Sequence, residues 1–228
     1  MFLTEMLPHQ LEDAERKKLP LIAAVGSVEY HGGQLPLGTD LFITEMVAKG
    51  IEKRIPCVVA LSFVFSPTGY AVSEPEKGTV DISVSLFTDY CAEILENYDR
   101  MGFERIIVLV HHQGGNIAPM INTAVMERRM YSVKDEKGYG WWTAGDRPVR
   151  ANIEVLPAML DTHFFGGHGG KGETEAVMAS RPELVDMERF KKGIWRNDTA
   201  PQADADYARE CLDTLLGRWA EKLGGAEK

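Results

Sequence analysis

The chain has 228 residues, 44% of them apolar, which is enough to close one substantial core, and a single α/β domain over 1–228 is the economical expectation. A formal charge of −9 argues against nucleic-acid or anionic-membrane partners, because binding phosphates takes clustered Lys and Arg that this sequence lacks. With no apolar run near the roughly 18 residues a membrane span needs and no basic-then-apolar leader, the sequence predicts a cytoplasmic protein whose partner is a small polar molecule.

In chain order, Leu21 to Val25 is short, rich in β-formers and closed by Gly26, which predicts a buried strand. Leu41 to Ile55 places Phe42, Met46, Val47 and Ile51 near helical spacing. A second strand is expected over Cys57 to Phe65, and the loop after it, through Pro67, Gly69, Pro75 and Gly78, is long enough to suggest a functional role. Ser85 to Met101 carries the helical stripe Leu86, Tyr90, Ile94, Leu95 and Tyr98, with Gly102 in a C-cap position. Arg105 to Val110 is the clearest strand. A helix follows from just after Asn116 to about Tyr131, then the Gly138 to Trp142 segment, an apolar piece at Ile153 to Leu156, a helix over Thr174 to Ala179 and an amphipathic helix over Tyr207 to Leu223. Strands alternating with helices imply a mostly parallel sheet with helices on both faces, a three-layer α/β/α sandwich. Cys57, Cys91 and Cys211 are odd in number and widely spaced, so they read as structural thiols in a reducing compartment.

In parallel sheets ligands bind beyond the carboxyl ends of the strands, and three unusual segments fall there. The first runs from Gly26 to Asp40, directly after the first strand. Glu29 and His31 are two apart, so an extended backbone points them the same way, and Asp40 stands at a helix start. An imidazole with two carboxylates suits Zn²⁺, Mn²⁺ or Fe²⁺, and a shared carboxylate could bridge two ions. Taken singly, Asp40 is as well explained as an N-cap, Glu29 as a loop charge and His31 as a polar turn residue. The second segment, His111-His112-Gln113-Gly114-Gly115-Asn116, sets two imidazoles and an amide at a strand end beside glycines that permit close backbone approach. In the third, His163 to Glu175, His168 and Glu173 are separated by a glycine-rich turn, and either could be a ligand or a general acid/base.

The first segment resembles the creatininase-family signature Gly-Ser-x-Glu-x-His-Gly-x-x-Leu-Pro-x-x-Thr-Asp. The second resembles the family's Asn-Gly-His-Gly-Gly-Asn and the third its His-Ala-Gly-x-x-Glu-Thr-Ser. Their order agrees, Gly78-Thr79 and the stretch from Phe103 to Val108 resemble the sequence between them, and the similarity spans roughly Leu21 to Ala179. The resemblance implies a homo-oligomer, often a hexamer, with one or two ions per chain, Zn or Mn with Fe as a further option. By position, Glu29, His31, Asp40 and Glu173 match its ligands, with Asp40 the bridge. His168 matches the proton-handling histidine, and Glu173 is a second catalytic candidate. Trp141 and Trp142 fall where family members carry aromatic residues over the substrate.

The second segment departs from the pattern, since Gln113 stands where a metal-binding histidine is usual. Three outcomes are open: Gln113 ligates through oxygen, His111 or His112 supplies the imidazole, or the site holds one ion. Parity along an extended backbone favours Gln113 or His111 over His112. The implied activity is hydrolysis, with a metal-activated water attacking the carbonyl of an amide or cyclic amide, or opening a cyclic diketone such as a dehydro-inosose by C–C cleavage. The alternative is a non-catalytic, metabolite-binding member with a degenerate metal site. Lys171 could contact an anionic substrate group, although a solvated surface lysine fits the sequence better.

Overall fold

The computed structural model describes residues 1–73, 75–112, 114–132, 151–160, 162–193 and 196–224. In chain order its main elements are α1 (Pro8–Arg16), β1 (Leu21–Val25), α2 (Thr39–Glu52), β2 (Val58–Val59), α3 (Val84–Arg100), β3 (Arg105–Val110), α4 (Gly114–Ser132), β4 (Asn152–Pro157), α5 (Lys171–Ser180) and α6 (Ala205–Gly224). The four strands form one sheet in the order β2-β1-β3-β4, with every neighbouring pair parallel.

Side chains alternate across the strands and divide the core in two. Leu21, Ala23 and Val25 of β1 and Ile106, Val108 and Val110 of β3 face α1, α3 and α4, where Ala14, Phe87, Leu95 and Ile121 meet them. Ile22, Ile107 and Leu109 face the opposite way, toward Ile43, Val47 and Ile51 of α2, Ala176 of α5 and Leu215 and Trp219 of α6. Burial on both faces explains why β1 and β3 read as unbroken apolar runs. Trp219 is fully buried and donates its Nε1–H to the Ala158 carbonyl at 2.8 Å, which ties the last helix to the end of β4. The result is the expected three-layer α/β/α arrangement. Among the described residues no helix is long and apolar enough to cross a membrane.

β1 and β3 have the predicted bounds, whereas the second strand is much shorter than Cys57 to Phe65. Ala60 N–H donates to the Ile22 carbonyl and Phe63 N–H to the Ala24 carbonyl, so three residues of one chain span two of the other. That extra residue is a bulge; it turns Leu61 out to 66% exposure and breaks the ladder. The helix after β3 starts at Gly114, two residues before Asn116, and α5 starts at Lys171 rather than Thr174. α1 has no counterpart in the sequence expectations. The Gly138 to Trp142 segment, with Trp141 and Trp142, lies outside the described residues, as does Gln113.

The sheet order places β2 on one side of β1 and β3 on the other, so the direction in which strands are added reverses at the β1/β3 boundary while all strands stay parallel. Val25 pairs with Val110, which brings the carboxyl ends of these strands level. A crevice opens there in folds of this kind, and the segments after β1 and β3 both start from it.

Candidate metal centre

β1 hands over to α2 through a tight approach at Gly26. A Cβ on this residue would lie 2.5 Å from Leu41 Cα, so only glycine lets strand end and helix start pack together. The intervening loop is held by its backbone, with Glu29 N–H donating to Leu37 O at 2.8 Å and Val80 N–H to Val28 O at 2.9 Å. Asp40 sits in the first turn of α2, where the helix dipole favours a carboxylate, and is 2% exposed.

Glu29, His31, Asp40, His111, His112, His168 and Glu173 come together in one buried cluster. Asp40 Oδ2 accepts from Ser27 Oγ at 2.6 Å and lies 2.8 Å from His112 Nδ1 and 3.5 Å from His31 Nε2. Glu29 is 3.2 Å from His112 Nδ1. Glu173 accepts from Gly169 N–H at 2.6 Å, lies 3.6 Å from His31 Nε2, and faces His111 Nε2 at 3.1 Å through its other oxygen. Among the described residues the ion pairs of these three carboxylates run only to histidines, with no Lys or Arg among them.

Three imidazoles are each fixed by a backbone carbonyl. His31 Nδ1 meets Glu29 O at 2.9 Å, His112 Nε2 meets Pro67 O at 3.1 Å and His168 Nε2 meets Tyr30 O at 2.9 Å. A carbonyl only accepts, so these nitrogens carry the protons. His31 and His112 then turn their other nitrogens toward the carboxylates, the arrangement that outer hydrogen bonds impose on metal-ligating histidines. His31 Nε2 is buried and has no hydrogen-bond partner among the described residues. A buried polar atom of this kind calls for an occupant, and an imidazole nitrogen between two carboxylates suits a divalent cation.

Among the described residues three groups have ligand atoms mutually within 4.8 Å: Glu29 with Asp40 and His112, His31 with Asp40 and Glu173, and Glu29 with His31 and His168. Asp40 belongs to the first two. The donor set therefore fits one or two ions of the Zn²⁺ or Mn²⁺ class, with nitrogen and oxygen donors from both sides.

Without an ion, protons balance the charge. Burial pulls the His31 imidazole down, but the facing Asp40 and Glu173 carboxylates outweigh it and raise its pKa to about 10. His112 follows the same pattern: burial opposes, hydrogen bonds to Asp40 and Glu29 prevail, and its pKa also rises to about 10. Asp40 goes the other way. Burial would raise it, yet His31 and His112 hold it well below the usual carboxylate range. The His168 pKa is lowered by burial and then by the charge on His31, against whose ring it stacks at 4.2 Å.

The structure departs from the parity argument over His112, while His111, which parity favoured, also reaches the site. β3 ends at Val110 and α4 begins at Gly114, so 111 and 112 lie on a turn where alternation fails. Both imidazoles reach the cluster, His111 beside Glu173 and His112 beside Glu29 and Asp40. Lys171 does not join them: its ammonium lies 5.0 Å over the Tyr207 ring and 3.6 Å from Glu175. Sequence reasoning gave no role to Ser27, whose place thirteen residues before Asp40 carries no periodic signal.

The family model described as "Creatininase: Creatinine amidohydrolase" matches residues 4–222. A creatinine amidohydrolase of Pseudomonas putida is 25% identical over 182 residues, covering 74% of this chain and 67% of the relative. A 3-dehydro-scyllo-inosose hydrolase of Thermotoga maritima is 26% identical over 233 residues, covering 99% and 70%. A mutant creatininase complexed with creatine superposes with a TM-score of 0.77 at 19% identity, over 99% of this chain and 98% of that one. Other creatininase structures of this fold include a zinc–zinc form and a manganese form. The chain belongs to the creatininase family.

Proposed function

We propose that this protein is a metal-dependent hydrolase of a small polar molecule, with an amide or cyclic amide C–N bond as the first target class. Glu29, Asp40 and His112 would hold one divalent ion, and His31, Asp40 and Glu173 a second, with Asp40 shared. The observation that carries the reading is the buried His31 Nε2, set 3.5 Å from Asp40 and 3.6 Å from Glu173 by a hydrogen bond on its far nitrogen, with no closer hydrogen-bond partner among the described residues. A zinc or manganese ion held by these residues would supply Lewis acidity, polarising a carbonyl and lowering the pKa of a water toward neutrality.

The chain's own residues do the rest. Ser27 donates to Asp40 Oδ2, the same oxygen that faces both His112 and His31, and so fixes the atom shared by the two halves of the site. His168 donates Nε2–H to Tyr30, so Nδ1 is its proton-accepting atom, and its lowered pKa keeps it neutral and ready to take a proton and pass it to a leaving group. His111, against Glu173, supplies an imidazole beyond the two candidate ligand sets.

A second reading is C–C hydrolysis of a cyclic diketone. It is favoured by the Thermotoga maritima relative, whose match runs over 99% of this chain. The binding-only alternative is disfavoured by the absence, among the described residues, of any Lys or Arg paired with Glu29 or Asp40. Chelator-stripped protein reloaded with Zn²⁺ or Mn²⁺ and assayed against lactams, formamides and cyclic diketones tests the proposal. Turnover that needs the ion and disappears in Asp40→Asn supports it; less than half an ion per chain and no metal-stimulated turnover would sink it. Self-association, which the family resemblance implies, has apolar surface at hand in Leu61, Phe65, Val84, Leu86 and Tyr90, and a light-scattering mass equal to the 25.4 kDa monomer would exclude it.

A further inference from the structure

Gln34 is 1% exposed and lies between two of the segments that carry candidate ligands. Its Nε2 donates to the Gly169 carbonyl at 2.8 Å and makes a longer contact, 3.4 Å, with the His31 carbonyl. Its Oε1 is buried and has no hydrogen-bond partner among the described residues. Turning the amide over would set that oxygen against the Gly169 carbonyl, so the observed orientation is the one that donates.

The contacts around it define a junction. A Cβ on Gly169, which has φ +62°, would lie 2.4 Å from the His31 carbonyl oxygen, so the two segments meet backbone to backbone. The Gly169 N–H is bonded to Glu173, while its carbonyl is bonded to Gln34. Gln34's own carbonyl accepts from Asp186 N–H at 3.0 Å, which anchors it to a third segment. A continuous path thus runs from Asp186 through Gln34 and Gly169 to the Glu173 carboxylate, with His31 on the same turn as Gln34.

We infer that Gln34 is a positioning residue that sets His31 against Glu173 by clamping the loop after β1 to the loop before α5. The inference rests on the metal-centre reading for its effect on ion binding, but the clamp itself exists without metal. It acts on the His31–Glu173 half of the site and leaves the Glu29–His112 pair, which it does not touch, in place.

The test compares the full-length protein with Gln34→Met, which keeps length and volume but has no donor. Gln34→Asn, which keeps the amide on a shorter stem, serves if the first variant does not fold. Hydrogen exchange over 166–172 is followed in chelator-stripped protein, and Zn²⁺ is titrated calorimetrically into the same samples. Expected are faster exchange confined to this segment and a Zn²⁺ affinity weakened ~10- to 100-fold, the range seen when an outer hydrogen bond to a ligand is lost. Unchanged exchange would overturn the clamp, and faster exchange with unchanged Zn²⁺ affinity would overturn the positioning role. If wild type takes up no Zn²⁺, the metal-centre reading falls and the exchange measurement alone decides whether Gln34 joins the two loops.

Discussion

Ser27 gives Asp40 a short hydrogen bond, 2.6 Å from hydroxyl to carboxylate, in a fully buried setting. Hydrogen bonds to charged groups contribute about 1.5–3 kcal/mol, so Ser27→Ala should weaken ion binding by roughly one to two decades while leaving the fold intact, as read by Zn²⁺ titration alongside circular dichroism. The choice between His112 and Gln113 is also a question about single residues. His112 Nδ1 already lies 2.8 Å from Asp40 and 3.2 Å from Glu29. His112→Ala should therefore lose about one equivalent of metal, whereas Gln113→Ala should retain it, and elemental analysis of both variants decides the matter. The sequence made Glu29, His31 and Asp40 legible because they sit at fixed spacings in one segment, whereas Glu173, far away on α5, was found through the family resemblance. It ranked His112 last because that ranking assumed an extended backbone. The turn between β3 and α4 removes the assumption, and no local residue pattern announces where a strand's alternation stops.

The elements themselves were readable where burial was complete. β1 and β3 are central strands with apolar side chains on both faces, so composition alone bounds them, and both match their expected limits. β2 is at the edge of the sheet and its ladder is broken by the bulge at 60–63, which depends on the partner strand and leaves no mark in sequence. Element packing makes its own prediction through two glycines. A Cβ at Gly26 would press on the backbone of Leu41 at 2.5 Å, whereas one at Gly50 would press on the methyl groups of Leu216 at 2.5 Å. Backbone cannot yield where a leucine rotamer can. Gly26→Ala should cost about 3 kcal/mol, the upper part of the range for overpacking. Gly50→Ala should come out near neutral, since about 0.5–1 kcal/mol of helix propensity offsets the rearrangement of Leu216. Chemical denaturation of the two variants compares these directly, and equal losses would contradict the account of the β1–α2 junction.

For the molecule as a whole, the buried cluster couples folding to both protons and metal. His31 and His112 bind protons more tightly in the folded protein, with pKa values of about 10, than in the unfolded chain, where 6.5 is ordinary. Their contribution to the stability of the metal-free protein is therefore complete below pH ~6.5 and is lost as pH rises through about 10. Asp40 has a depressed pKa, so its contribution is present above its ordinary value of 3.8 and is lost as pH falls below that. The metal-free protein should thus be most stable in weak acid and weaken steadily on the alkaline side. An ion reverses that limb, because it replaces the two imidazole protons and binds the folded state alone. At a hundredfold excess over its dissociation constant it should add about 2.7 kcal/mol and release up to about two protons per chain near neutrality, which calorimetry in buffers of different ionisation enthalpy counts. Urea unfolding from pH ~6 to ~10, with and without Zn²⁺, then gives two curves that diverge as pH rises. Parallel curves, or a metal-free protein that gains stability toward alkaline pH, would mean that both histidines enter the fold uncharged and that the carboxylates around them are balanced in some other way.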